Sequence, residues 1–122
     1  MNSLQSATPD TSAYTNRCAS IRQLNDTFRQ TFLGGRVVTT YDIAALPDVT
    51  RAAIIAAVQA FDRFDADSDP YGEHDFGMFE ADDTKVLWRI EYYDHALQMH
   101  SPDAANPRVT TRVLTIMLAS EM

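Results

Sequence analysis

The chain has 122 residues, 45% of them hydrophobic and 22% charged, a balance that suits one globular domain with its own core. A net charge of −7 argues against a nucleic-acid-binding surface, and a single cysteine excludes an internal disulfide or a cysteine-only metal site. No apolar run approaches the roughly 20 residues that cross a bilayer. The opening MNSLQSATPDTSAYTN lacks the basic start and apolar centre of a secretory signal, so the expected setting is cytoplasmic.

Residues 1–15, rich in Ser, Thr, Asn and Pro, read as a flexible tail, and residues 16–122 as a single α+β domain. From Asn16, residues Cys18, Ile21, Leu24, Phe28 and Phe32 recur at three- and four-residue steps, which predicts an amphipathic helix. Thr15 or Asn16 serves as its N-cap and Gly34-Gly35 ends it, with Arg22 and Arg29 on the solvated face. Arg36–Tyr41 is a short β-branched strand. A second helix starts at Pro47-Asp48 and runs to Phe61, with Ile54, Val58 and Phe61 as its thickest stripe; its alanines suggest enclosure on most sides. Val86–Tyr93 alternates in the clearest strand pattern of the chain, Val86, Trp88, Ile90 and Tyr92 on one face. Asp82-Asp83 supplies a turn and FGMFE the partner strand of a hairpin. Asn106-Pro107 then opens a final helix to about Ser120. The expected architecture is three helices on a three-stranded sheet, in the order αβαββα.

The negative charge is localised. Between Asp62 and Asp83 lie nine acids and one base, a net of −8, so the rest of the chain sums to +1. Within that window Asp65-Ala66-Asp67-Ser68-Asp69 opens like an EF-hand, but Pro70 stands where the loop needs Gly and Phe76 where it needs a bidentate Glu. In Gly72-Glu73-His74-Asp75-Phe76-Gly77 a histidine lies between two acids. Neighbours in an extended chain point to opposite faces, so Glu73 and Asp75 do not both flank His74 from one side, and a His pinning the loop outweighs a catalytic one. Cys18 sits on the apolar stripe, the place of an inert buried thiol. Neither a nucleophile elbow, a phosphate loop nor a dinucleotide fingerprint is present.

Four stretches, IRQLNDTFRQTFLGGRVVTT, VQAFDRFDADSDPYGEHDFG, VLWRIEYYD and SPDAANPRVTTRVLTIMLASEM, resemble a family of small uncharacterised proteins. That family, a domain of unknown function, is found in alphaproteobacteria and their plasmids and other mobile elements. The resemblance covers about residues 20–122, with GEHDFG and RVLTIMLASE as its specific motifs. It brings no catalytic residues; it implies the company of mobile-element accessory proteins, which often act on host defence machinery.

The expectation is therefore a non-enzymatic protein-interaction module, without cofactor, of the anti-CRISPR or antirestriction type. Its partner is a protein with a basic surface, and its binding residues are Asp67, Asp69, Tyr71, Glu73, Phe79, Asp82, Asp83 and Tyr93. Direct nucleic-acid and membrane binding are not expected, and the chain is a monomer or a homodimer joined through Leu87 and Tyr93. The alternative is a metal-dependent enzyme or calcium-binding module centred on Asp65, Asp67, Asp69, Glu73 and His74.

Overall fold

The computed structural model describes residues 12–122. Helix α1 spans Ser12–Thr31, strand β1 Gly35–Thr39, helix α2 Tyr41–Ala44, helix α3 Asp48–Gln59, strand β2 Phe76–Ala81, strand β3 Thr84–Tyr93 and strand β4 Thr111–Leu118. Short 3-10 turns at Pro107–Val109 and Ala119–Glu121 flank β4. The four strands form one mixed sheet in the order β1-β4-β3-β2, with β1 parallel to β4 and the other pairs antiparallel. Phe28 of α1, Ile43 of α2 and Ile54 and Val58 of α3 close one core with the inward row Val86, Trp88, Ile90, Leu114 and Ile116. The helices thus cover one face, and the only Trp of the chain lies fully buried between the two layers.

Helix α1 follows the apolar spacing, burying Cys18, Ile21 and Phe28. It begins by Ser12, so Thr15 and Asn16 are helical rather than caps, and four residues assigned to the tail belong to the helix; the remainder of that tail lies outside the described residues. The chain leaves the helix through left-handed Phe32 (φ 59°) and Gly34 (φ 97°). Gly35 then lets β1 run against the helix: a Cβ there would stand 2.7 Å from the Phe28 ring. Arg29, expected in solvent, is only 2% exposed, because it lies over the Phe64 and Trp88 rings and pairs with Asp26. Arg22 is half-buried, its Nη1 donating to the Gly72 carbonyl. In α3, Ile54 and Val58 form the buried stripe, while Ala52, Ala53, Ala56 and Ala60 face solvent. The alanines therefore serve helix propensity rather than close packing.

The hairpin forms as its alternation predicts, with Asp82 (φ 49°) and Asp83 (φ 63°) both left-handed in the connecting turn, as a two-residue type I′ hairpin loop requires. Gly77 makes room for the core: a Cβ at that position would stand 2.7 Å from Trp88 Cε2 and 2.8 Å from Phe61 Cε1. The expected C-terminal helix is instead β4, so the sheet has four strands rather than three and the third helix is the short α2. Asn106-Pro107 starts only a 3-10 turn, in which the Asn106 side chain accepts from the Arg108 amide. Beyond it Arg112, Leu114 and Ile116 point into the core while Val113 and Thr115 are half-buried on the outer face. Partial burial of both faces makes the segment a nearly continuous apolar run, in which period alone does not separate strand from helix. The run occupies the middle of the sheet, between β1 and β3.

Candidate functional site

The acidic segment 62–75 is folded by its own carboxylates. Asp65 Oδ1 accepts from the amides of Asp67 and Ser68 and from the Ser68 hydroxyl, and these hydrogen bonds hold its pKa below the ordinary value. Asp69 is buried, accepting from the amides of Glu73 and His74 at 3.0 and 3.2 Å. Left-handed Gly72 (φ 68°) and His74 (φ 55°) turn the segment back onto α1. There His74 Nδ1 meets Asp26 Oδ1 at 2.9 Å, and the His74 ring stacks on Phe64 with centroids 3.7 Å apart. Its Nε2 stands 3.7 Å from Asp69 Oδ2. Asp26 also accepts from Arg29 Nη1 at 2.9 Å.

A second chain of bonds lies alongside. Asn25, 0% exposed, donates from Nδ2 to the Glu73 carbonyl and to the Tyr92 hydroxyl, and accepts from Arg112 Nε at 2.8 Å. The Tyr92 hydroxyl in turn donates to Glu73 Oε1 at 2.9 Å, and Arg112 Nη2 donates to the Ala104 carbonyl. Burial pushes the Tyr92 pKa up and the Arg112 pKa down. The Asp75 pKa is raised by burial and by the neighbouring Glu73 charge. The network is nearly self-satisfied: the carboxylates beside His74 are spent on Arg29 and on backbone amides, and that of Glu73 on Tyr92. Its work is to fasten the acidic segment to α1 and β3, so His74 pins a loop, to the helix rather than to the sheet. Among the described residues, no group of three His, Cys, Asp or Glu side chains could hold a metal ion. Asp65, Asp67, Asp69, Glu73 and His74, on which the alternative reading centres, form no such group.

The eight residues expected to bind a partner are dispersed. Phe79 is 7% exposed in the core, and Asp69 is turned inward, so neither is available to a partner. Glu73 is half-buried under the Tyr92 hydroxyl. Asp67 and Tyr71 are exposed on the segment next to α1. Asp82 and Asp83 are exposed at the hairpin tip, separated from that segment by the length of β2, about 17 Å at the usual strand rise. Tyr93 is half-buried on the outer face of the sheet, where Leu87 is fully enclosed between its register partners Met78 and Met117.

The fold gathers a different acidic surface that the sequence window does not contain. The hairpin tip, the ends of β1 and β4, α2 and the start of α3 lie at one end of the sheet. Thr50 of α3 donates to Asp82, and Glu121 folds back to accept from the Thr40 hydroxyl and the Leu118 amide. Asp42, Asp48, Glu80, Asp82, Asp83 and Glu121 are all exposed there. Among the described residues the cations near this end are Arg51, Lys85 and, beside Glu80 and Lys85, Arg63. Arg51 is held by Asp48 and the carbonyls of Ala44 and Leu46, and Lys85 stands opposite Glu80 in the hairpin. Among the described residues, Asp42, Asp82 and Asp83 make no ion pair. Beside them Tyr41 is 84% exposed and Val49 83%. An apolar residue at the second position of α3 and an aromatic at the start of α2 are the signals that could have found this surface.

No described helix is long and apolar enough to cross a membrane. Comparison with curated proteins and with solved structures gives no match. One family model matches residues 39–121, from the end of β1 to the last 3-10 turn, and so spans the acidic end, the hairpin and β4 but not α1. The chain belongs to that family, described as a protein of unknown function (DUF3768).

Proposed function

We propose that this chain is a non-enzymatic protein-interaction module that docks a basic protein surface through its acidic end. The observation carrying the reading is that three carboxylates without an ion pair among the described residues, Asp42, Asp82 and Asp83, lie at the same end of the sheet as the exposed side chains of Tyr41 and Val49. Apolar and aromatic groups beside charge are the composition of an interaction hot spot: the ring and the branched side chain supply buried area, and the carboxylates supply orientation and encounter rate. A surface of this sign fits a partner whose own site binds nucleic acid, because such sites carry Arg and Lys spaced for phosphates. The resemblance to small proteins of plasmids and other mobile elements would make that partner a host defence nuclease of the CRISPR or restriction type. In that setting the acidic end occupies the nucleic-acid channel in place of phosphate.

The test is a pull-down from host lysate with wild type and with a variant carrying Asp42, Asp48, Asp82 and Asp83 as Asn, each with and without competitor DNA. The reading predicts a nucleic-acid-binding protein captured by wild type, lost from the variant and displaced by DNA. A partner captured equally by both chains and indifferent to DNA would remove the acidic end from the account.

A further inference from the structure

A cavity of about 510 Å³ lies between α1, the Leu33-Gly34 turn and the segment leading into β4. Its volume is within the range of small-molecule sites. Leu24, Phe28, Leu33 and Pro107 line it, and Arg112 is its only charged residue. In a chain of net charge −7, a cavity with no acid and one cation is a local inversion of sign.

Arg112 is 3% exposed yet forms no ion pair among the described residues. Its hydrogen-bond acceptors are neutral, Asn25 Oδ1 and the Ala104 carbonyl, and it lies 5.2 Å from the Tyr92 ring centroid. Glu73, whose charge Arg112 feels, is engaged by the Tyr92 hydroxyl and stays outside ion-pair distance. Among the described residues Arg112 Nη1 makes no hydrogen bond. Buried arginine is ordinarily paired with a carboxylate, because leaving its charge uncompensated in a low-dielectric site is costly. A guanidinium with a free edge beside apolar walls is the arrangement that takes a planar anion attached to a hydrocarbon body.

We propose that this cavity is a binding site for a small amphiphilic carboxylate, its headgroup on Arg112 and its apolar body against Leu24, Phe28 and Leu33. Through Asn25 the site's Arg112 adjoins the Glu73–Tyr92 chain of bonds, while the acidic end lies at the other end of β4. Occupation would complete the charge pairing of Arg112 and brace α1 against β4.

Calorimetric titration of the full chain with octanoate, octanamide and inorganic phosphate tests this. Octanoate should bind at one site, about tenfold or more tighter than the isosteric amide, a difference of about 1.4 kcal/mol. Phosphate alone should not bind detectably at about 1 mM. Leu33 is exposed, so Leu33→Glu should leave the urea midpoint unchanged while weakening octanoate about fivefold or more through charge repulsion at the mouth. Arg112→Gln, where it folds, should abolish the preference for octanoate over octanamide. Equal binding of acid and amide, no binding of octanoate, binding untouched by Leu33→Glu, or phosphate as tight as octanoate would each overturn the proposal.

Discussion

Replacing Asn25 by Leu probes the network that fixes the acidic segment. Leucine suits the position by every local criterion: α1 is helical there and its neighbours on the same stripe, Ile21 and Phe28, are buried and apolar. The cost is in the partners. Asn25 satisfies Arg112 Nε, the Glu73 carbonyl and the Tyr92 hydroxyl. The hydroxyl keeps Glu73 Oε1, so two groups are left without a partner. At about 1–3 kcal/mol for each orphaned buried polar group, with the charged guanidinium toward the upper end, the loss is about 2–6 kcal/mol. Set against a total stability of about 5–15 kcal/mol for a natural domain, that is a large fraction. Urea unfolding followed by the fluorescence of the single, fully buried Trp88 measures it directly. A melting temperature lower by about 10 °C or more should accompany it, given about 4–8 °C per kcal/mol in a domain near this size. An Asn25→Leu variant within about 1 kcal/mol of wild type would show that the network holds nothing together, and the reasoning would fail.

Three further perturbations follow from the same geometry. Gly77→Ala should destabilise by about 1–3 kcal/mol and shift Trp88 emission, because its methyl group has no space between the Trp88 and Phe61 rings. Asp83→Gly should raise the unfolding free energy in urea by up to about 1 kcal/mol, since the left-handed cost of about 1–2 kcal/mol that it relieves in the type I′ turn exceeds the unfolded-chain entropy a glycine adds. Asp75→Asn should stabilise the chain at pH 7. The folded-state pKa of Asp75 is raised, so its contribution favours folding below the ordinary value of 3.8 and is lost as pH rises through the folded pKa. The advantage of the Asn variant in paired urea titrations should therefore shrink as pH falls toward 3.8, and an advantage that grew toward acid would contradict the burial of this carboxylate.

Local period and turn chemistry made the hairpin legible: Val86, Trp88, Ile90 and Tyr92 alternate strictly, and two aspartates mark the reversal. The first helix was legible for the same reason at a period of 3.6. The fourth strand was not, because a central strand buried in part on both faces loses its alternation, and Asn106-Pro107 is as good an opening for a 3-10 turn as for a helix. Asn25 is polar in the middle of an apolar stripe and Arg112 is charged within a β-branched run, and both were signals of a buried polar network. Apart from the Ala104 carbonyl eight residues before Arg112, however, their hydrogen-bond partners lie 48 to 87 residues away, beyond any local pattern. Charge counting along the chain found the window from Asp62 to Asp83, but the fold divides it. Asp69 caps its own loop, Asp65 closes its own turn, and the acidic end is assembled from residues 42, 48, 80, 82, 83 and 121. Linear proximity of like charges is a poor guide where carboxylates find backbone amides first.

Site-specific photo-crosslinking from position 49 in the host is the most direct test of the proposed docking surface. Val49 is exposed at the centre of the acidic end, so replacement by a photoreactive residue leaves the core untouched. The account predicts a crosslink to a nucleic-acid-binding protein from position 49, weakened by salt and lost when Asp82 and Asp83 are Asn, with none from position 53 on the solvent face of the same helix. A crosslink from position 53 or 71 with nothing from position 49 would contradict it, and would move the interaction to another face of the molecule.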